Sequence, residues 1–336
     1  MRPPPFWDTD APRSSSQVTR ALLSPLGLVY AAMTARRIAR TAPRRVDAAV
    51  ICVGNLTVGG TGKTPISLAL LEMAVAAGLK PAALSRGWRG KIKGPAKVDP
   101  AVHTFKDVGD EPLLLAQQAP TYIDPGRVEG AALAVKDGAA LIIMDDGHQN
   151  PKLEKDFSIV VVDAVTGWGP GTIFPAGPLR EPVRAGLARA DAVIVMCPDP
   201  DHQIDYAALG LIDLEIPVFK SWLVADAAPP PGPLIAFAGI GRPQKFYDGV
   251  EAAGGQIADT ASFPDHHAFS KGELNSLADL ADAHSASLIT TQKDWVRLPV
   301  RYRDSIAAFP VRARFEYPER IQGLIQTALD RFAKSG

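Results

Sequence analysis

The sequence predicts an α/β protein: a doubly wound, mostly parallel sheet, then a second, smaller α/β domain, with an amphipathic helix ahead of both. Three observations predict it. Short Val/Ile-rich runs alternate with helical patterns from residue 47 onward, as expected of strands buried on both faces. A Pro-rich stretch (Pro229, Pro230, Pro231 and Pro233) interrupts the alternation, which then resumes. Ahead of residue 47, apolar residues recur at helical spacing and end in a run of arginines. The expected division is an N-terminal region at 1–46, a core domain at 47–228 and a smaller domain at 229–336.

The elements follow in order. Ala48–Val53 reads as a buried strand, followed by a Gly-rich loop and a helix from Thr64 to Ala77. Ala82–Ser85 is a second strand, Asp110–Gln118 a helix, Tyr122–Ile123 a strand and Gly126–Lys136 a helix. Ala140–Met144, Ser158–Val162 and Ala192–Met196 are three further apolar strands. Beyond the prolines, Leu234–Ala238 and Ser287–Thr291 read as strands, and Arg242–Ala253 and Lys271–His284 as helices. Glu319–Lys334 closes the chain as an amphipathic helix. A single large sheet with an insertion fits the same periodicity.

Composition narrows the class. The 336 residues hold 36 basic and 36 acidic side chains, a net charge of zero, which argues against a generally basic nucleic-acid binder. The zero is a sum of opposites, because residues 1–46 carry eight arginines and two aspartates, a net of +6, and the remainder carries −6. Cys52 and Cys197 each sit in an apolar run, too few to staple such a chain, so a reducing, cytoplasmic setting is expected. The Pro-rich N-terminus offers no small-residue site after an apolar core, so no cleavable export signal is expected. The uncharged run between Arg20 and Arg36 is 15 residues, short of the roughly 20 needed to span a bilayer. Leu22, Leu23, Leu26, Val29, Tyr30 and Met33 recur at helical spacing before Arg36, Arg37, Arg40, Arg44 and Arg45. This suits either a helix lying in a membrane interface with arginines at anionic headgroups, or a helix docked on its own domain.

The segment VGNLTVGGTGKTP (53–65) follows a buried strand and opens a helix, the context of a phosphate-binding loop. Thr57, Val58, Gly59, Gly60, Thr61, Gly62, Lys63 and Thr64 form the expected nucleotide-binding set. Glycines turn backbone N–H groups inward, Lys63 reaches the β- and γ-phosphates, and the Thr64 hydroxyl suits Mg²⁺. The fold is therefore expected to be P-loop NTPase-like. Thr57 departs from the strict pattern G-x-x-x-x-G-K-[ST], which has Gly there. Such an enzyme needs an acid at the end of a neighbouring strand, and Asp145-Asp146 after Ala140–Met144 supplies it. Read alone, Asp-Asp-Gly is equally a turn.

Together, VGNLTVGGTGKTP (53–65) and DDGHQN (145–150) resemble the tetraacyldisaccharide 4′-kinases, which phosphorylate the lipid A precursor. SRGWRG (85–90), VGDEP (108–112), FPAGPLREP (174–182), FPDHH (263–267) and TTQKD (290–294) fit in the same order. His148 and Asn150 depart from the family, which usually has an aromatic and a histidine there. The resemblance implies ATP and Mg²⁺, with Thr64, Asp145 and Asp146 toward the metal. It also implies a lipid disaccharide acceptor at the cytoplasmic face of the inner membrane, and a second domain closing over the site. It points to Asp110 as catalytic base, oriented by His266, with Lys63 and Arg180 acting on the transferring phosphate.

Asn55, Arg86, Arg127 and Glu181 are the expected acceptor contacts. Plainer readings stand beside several of these assignments: Asp110 as a helix cap, Arg180-Glu181 as a surface ion pair, Arg127 and Arg86 as ordinary solvated charges, His266 as a loop histidine bonding its own backbone. Lys293-Asp294 is either a nucleotide loop or a structural one. The competing class is a membrane-recruited P-loop ATPase switch, but its loop carries Lys where this chain has Val58, and its membrane helix is usually C-terminal.

Overall fold

The computed structural model describes residues 4–7 and 13–335, with the side chains of residues 13–15 outside that description. Arg2, Asp8 and Asp10 of the basic segment, and the side chain of Arg13, therefore lie outside the described residues.

Among the described residues, the strands are β1 (Ala49–Gly54), β2 (Pro81–Ser85), β3 (Ala96–Lys97), β4 (Thr121–Ile123), β5 (Leu141–Asp145), β6 (Phe157–Asp163), β7 (Ala192–Cys197), β8 (Val218–Ala225), β9 (Pro233–Ala238), β10 (Gln256–Ser262), β11 (Ser287–Thr291), β12 (Ile306–Phe309) and β13 (Val311–Phe315). The helices are α1 (Arg13–Arg40), α2 (Lys63–Ala76), α3 (Phe105–Val108), α4 (Asp110–Leu115), α5 (Val128–Lys136), α6 (Val183–Leu187), α7 (Pro243–Ala252), α8 (Lys271–Ala283), α9 (Gln292–Trp295), α10 (Val300–Arg303) and α11 (Pro318–Ser335). A nine-stranded sheet runs in the order β13-β8-β7-β6-β1-β5-β2-β4-β3, and a four-stranded one in the order β10-β9-β11-β12. The large sheet is parallel from β8 to β4 and closes with an antiparallel strand at each edge. The small sheet is parallel throughout.

The apolar runs are continuous because both faces of the sheet are covered. On β1, Ala49, Ile51 and Val53 pack with Ile66, Leu70 and Leu71 of α2 and with Leu324, Ile325 and Ala328 of α11. The alternate residues Val50 and Cys52 pack with Val128, Ala131 and Ala134 of α5 on the other face.

Two expectations change here. The expected boundary at 229–336 is wrong at its far end. The chain enters the small sheet after the prolines, then returns at Pro310, where the Asp226 amide donates to the Pro310 carbonyl at 2.9 Å. From there β13 pairs antiparallel with β8, and α11 covers the large sheet. An amphipathic pattern says that a helix covers something, but not which sheet.

The N-terminal helix also differs from the expectation. It has 28 residues, continuing through its flanking arginines, so it spans about 40 Å. Ser16–Arg40 is long and apolar enough to cross a membrane by length and composition, so the shortness of the uncharged run does not exclude spanning. Val18, Leu22, Leu26, Val29 and Met33 form one exposed row, and Leu28, off that row, is exposed as well, so the helix is less cleanly two-faced than expected. Its docked side lies on the 172–179 loop. A Cβ on Gly27 would meet the Ile173 carbonyl oxygen at 2.9 Å, so only glycine allows this approach. Tyr30 and Trp7 pack on Phe174, and Trp7 donates to the Pro175 carbonyl at 3.1 Å. Arg36, Arg37 and Arg40 are exposed; Arg44 and Arg45 pair with Glu129 at 2.8 Å and Glu154 at 3.3 Å, the first an exposed surface pair.

Candidate active site

The site lies at the C-terminal ends of β1, β5 and β6, the crevice where parallel α/β sheets bind ligands. After β1 the chain turns through Thr57–Gly62 into α2. Gly62, with φ +89°, precedes the helix, and no side chain caps it. The first N–H groups of α2 are thus left for an anion, with the positive end of the helix dipole behind them. Gly59 and Gly60 face open space, and Val58 is exposed. Thr57 fits where the strict pattern has glycine because it lies outside the positive-φ residues and pairs in an antiparallel bridge with Leu179. Two flanking bonds complete that pairing, Val58 N to Pro178 O and Arg180 N to Leu56 O, both 2.7 Å. The proline-rich 174–182 segment is thereby the outer wall of the phosphate loop, and it delivers Arg180.

The two adjacent aspartates face different partners. Asp145 accepts from the Thr64 hydroxyl at 3.3 Å and the Ser67 hydroxyl at 2.9 Å. Burial pushes its carboxyl up to about 7, and Glu111 and Asp146 add to this while Lys63 opposes it. A buried carboxylate with so little compensating charge, beside a threonine hydroxyl, fits a hard cation. Asp146 turns the other way, with φ +51°. Arg180 grips both its oxygens, at 2.8 and 3.3 Å, and Lys63 stands 3.6 Å away. Burial acts to raise the Asp146 carboxyl, but Lys63, Arg180 and Arg127 together hold it well below the usual carboxylate range.

A second cluster joins the two sheets. Asp110 opens α4, buried, with Oδ1 accepting from the Glu111 amide at 3.0 Å. That bond is the trace of the expected cap, but Asp110 is already the first helical residue, and Gly109 holds the cap position. His266 Nδ1 lies 2.9 Å from Asp110 Oδ2, and Arg297 approaches the same oxygen from Nε at 2.8 Å and Nη2 at 2.7 Å. Burial would raise this carboxyl, but the His266 hydrogen bond with Lys293 and Arg297 drives it far below its ordinary value. Lys293 Nζ sits 3.5 Å from His266 Nε2 and 3.6 Å from Glu111. Glu111 also acts on Asp145, which ties this cluster electrostatically to the phosphate loop.

Three expected acceptor contacts are turned inward. Arg127 is 2% exposed, and its guanidinium donates to the carbonyls of Asp124 and Asp146 at 3.1 and 3.0 Å, so it braces the Asp146 turn instead of meeting a lipid phosphate. Asn55 is fully buried, donating to Thr57 Oγ1 at 3.4 Å and to the Gly59 carbonyl at 3.5 Å inside the loop. Glu181 is buried and held by Arg189 on both oxygens at 2.7 Å and by Gln149 at 3.0 Å, leaving it no reach toward sugar or ribose. Arg86 remains exposed, stacked on Trp88 at 5.1 Å. His148 is buried against the Gly186 carbonyl at 2.9 Å, and Asn150 donates to the Gly126 carbonyl at 3.3 Å, so both brace the 145–150 loop. Asp294 is structural, accepting from the Gly239 amide at 2.9 Å and the Thr291 hydroxyl at 2.7 Å.

Sequence reasoning passed over Arg297, a lone charge among Trp295, Val296 and Leu298; that isolation in an apolar run was its available signal. It also passed over Asp163, which ends β6 and binds Arg242 at 2.7 Å and Lys245 at 2.9 Å, a second bridge between the sheets.

The family model described as tetraacyldisaccharide-1-P 4′-kinase matches residues 19–330. The tetraacyldisaccharide 4′-kinase of Maricaulis maris is 54% identical over 100% of this chain and 99% of its own. The enzyme of the same name from Caulobacter vibrioides is 49% identical over 96% of this chain and 97% of its own. The crystal structure of LpxK from Aquifex aeolicus in complex with ATP superposes with a TM-score of 0.73 at 25% identity, covering 92% of this chain and 99% of that one. A match this long and this complete means that the chain belongs to the tetraacyldisaccharide-1-P 4′-kinase family.

Proposed function

We propose that the chain transfers the γ-phosphoryl of ATP to the 4′-hydroxyl of a tetraacylated glucosamine disaccharide 1-phosphate, giving the bis-phosphorylated lipid A precursor. What carries this reading is a single crevice with two halves: a phosphate loop with an uncapped helix behind it, and a buried carboxylate paired to an imidazole. The family and the ATP complex of its Aquifex relative support it.

Phosphoryl transfer leaves little covalent work to a protein, so positioning and charge neutralisation dominate. The N–H groups of Gly59–Gly62 and Lys63 hold the β- and γ-phosphates. Arg180 lies beside Lys63 on Asp146, poised to offer its fork to the transferring group. Asp110 takes the proton of the 4′-hydroxyl as the new P–O bond forms, and ADP leaves with the electrons of the broken one. His266 keeps that carboxylate ionised and oriented. Thr64 and Asp145 would hold Mg²⁺, with Asp146 behind them; when bound, the ion neutralises phosphate charge.

The exposed row of α1 supports contact with the membrane that carries the lipid. Val18, Leu22, Leu26, Val29 and Met33 continue at helical spacing into Arg36 and Arg40, so apolar residues meet acyl chains while cations meet headgroups. We assign this contact to the cytoplasmic face of the inner membrane.

The deciding assay is ATP-dependent phosphorylation of tetraacyldisaccharide 1-phosphate in detergent micelles. The expected product carries a 4′-phosphate. ATP hydrolysis with no lipid product from folded protein would favour the ATPase switch instead.

A further inference from the structure

Arg297 heads the fully buried side chains by volume, and it is a cation. Its Nη1 donates to Asp294 Oδ1 at 2.7 Å and to the Gly239 carbonyl at 2.9 Å, on α9 and just after β9, the segments that follow two strands of the small sheet. Its Nε and Nη2 meet Asp110 Oδ2, on the large sheet's side of the crevice, at 2.8 and 2.7 Å. His266 Nδ1 reaches the same oxygen at 2.9 Å. Oδ2 therefore takes two hydrogen bonds, from Arg297 Nε and His266 Nδ1, which fill the roughly two lone-pair directions of a carboxylate oxygen, with Nη2 in ionic contact alone. Among the described residues, Oδ1 accepts only the Glu111 amide at 3.0 Å, which leaves it one direction for a further donor.

We propose that Arg297 is a positioning residue for the phosphoryl transfer, holding Asp110 so that Oδ1, not Oδ2, faces the acceptor hydroxyl. The inference rests on the reading of Asp110 as proton acceptor. The hydroxyl proton passes to Oδ1, the hydroxyl oxygen's electron pair forms the bond to the γ-phosphorus, and the bond to the β-phosphate oxygen breaks with its electrons on ADP. Asp294 balances Arg297 from behind, so the guanidinium is held by both carboxylates. The other titratable groups around the pair are His266 and Asp265 from the 263–267 loop, Lys293 on α9 and Glu111 on α4. Arg89 reaches the His266 carbonyl at 3.5 Å. A lysine at position 297 keeps the charge but has one nitrogen, so it cannot hold Asp110, Asp294 and Gly239 together in a planar fork.

The test uses the full-length chain in detergent micelles with ATP and tetraacyldisaccharide 1-phosphate, comparing the parent, Arg297→Met, Arg297→Lys, Asp110→Asn and the Asp110→Asn/Arg297→Met double variant. Arg297→Met and Arg297→Lys should each lower kcat by roughly 10²-fold, the cost of a misplaced catalytic group, with KM for ATP near the parent value. Removing the cation relaxes Asp110 upward, so kcat in Arg297→Met should fall on the acid side of the pH profile where the parent's does not. In the Asp110→Asn background, Arg297→Met should cost nothing further. An equal loss in both backgrounds with an unmoved acid limb overturns the proposal, because it marks a purely structural arginine. If the methionine variant does not fold, the lysine variant decides, and parent kcat there overturns the proposal. Full activity of Asp110→Asn overturns the proton-acceptor reading itself, and the inference with it.

Discussion

His266 Nδ1 stands 2.9 Å from Asp110 Oδ2 although 156 residues separate them, and His266 holds a φ of +59° to make the contact. A non-glycine residue in the left-handed region costs about 1–3 kcal/mol, and such strain persists where the surroundings enforce it. Here the His266 amide donates to the Gly239 carbonyl at 3.0 Å, and its ring closes on a carboxylate from the other sheet. The pair therefore exists only when the two sheets sit together. His266→Gln should lower kcat by roughly 10²-fold or more with little change in KM for ATP, as for loss of general acid–base assistance. Steady-state kinetics at saturating lipid checks it, and a rise in KM for ATP with constant kcat would assign His266 to nucleotide binding.

Arg180 grips Asp146 through both oxygens at 2.8 and 3.3 Å, which helps keep that aspartate at φ +51° and away from Thr64. Arg180→Lys keeps the charge but loses the fork. Expected is a fall of about 10-fold or more in kcat/KM for ATP, with far-UV circular dichroism unchanged. Parent kinetics in the lysine variant would reduce Arg180 to a point charge.

The exposed row on α1 predicts a separable membrane function. Leu22→Asp with Val29→Asp removes two apolar side chains, each contributing about 1.5–3 kcal/mol on leaving water. Co-sedimentation with anionic vesicles should fall by about 100-fold or more, and KM for lipid should rise. Because both side chains are exposed, Tm should stay at the parent value. Undiminished vesicle binding would mean that the row does not face the bilayer.

Asp163 is 1% exposed on its side chain and bridges to Arg242 and Lys245 of the small unit. Burial favours its protonated form, but these two cations and the Thr166 amide hold its carboxyl well below the ordinary value. The sign follows: a depressed folded pKa stabilises the fold above the unfolded value, and that stability is lost as pH falls through it. A double-mutant cycle of Asp163→Asn and Arg242→Met at pH 7 should give a coupling of about 0.5–3 kcal/mol in urea unfolding, shrinking in acid. Strict additivity would mean that the bridge contributes nothing.

His148 offers a test of opposite origin. Burial lowers its imidazole to about 4, from an ordinary 6.5, and the Gly186 carbonyl only partly opposes this. The folded protein therefore takes up this proton less readily than the unfolded chain. Stability is full above pH about 6.5 and falls as pH drops toward 4, the interval in which the unfolded chain takes up this proton and the folded one does not. His148→Gln should flatten this part of the stability profile measured by urea unfolding between pH 4 and 7. An unchanged slope would place the acid sensitivity elsewhere.

Much of this was legible in the residues. The alternation of apolar runs and helices is a local property, so strands such as Ser158–Val162 and Ala192–Met196 were found within a residue or two of β6 and β7. Edge elements were not. β3 has two residues, β10 is largely exposed with no apolar run, and β13 alternates like any half-buried strand. The phosphate loop was legible because strand, loop and helix are contiguous. Asp145-Asp146 was legible as a pair, but its division of labour was not, since the positive φ at Asp146 arises from packing against Arg127 and Arg180.

The sequence by itself therefore determined the doubly wound core, the phosphate loop with Lys63 and Thr64, and the apolar, basic N-terminal helix, because each is written in neighbouring residues. The tertiary structure alone decided what required distant residues to meet. It turned Asn55, Arg127 and Glu181 inward and sent α11 back to the first sheet. It also set Arg297, 187 residues along the chain, against Asp110. Spacing encodes which face of an element is apolar. It does not encode which charge that face will bury, because that depends on the partner brought to it by the fold.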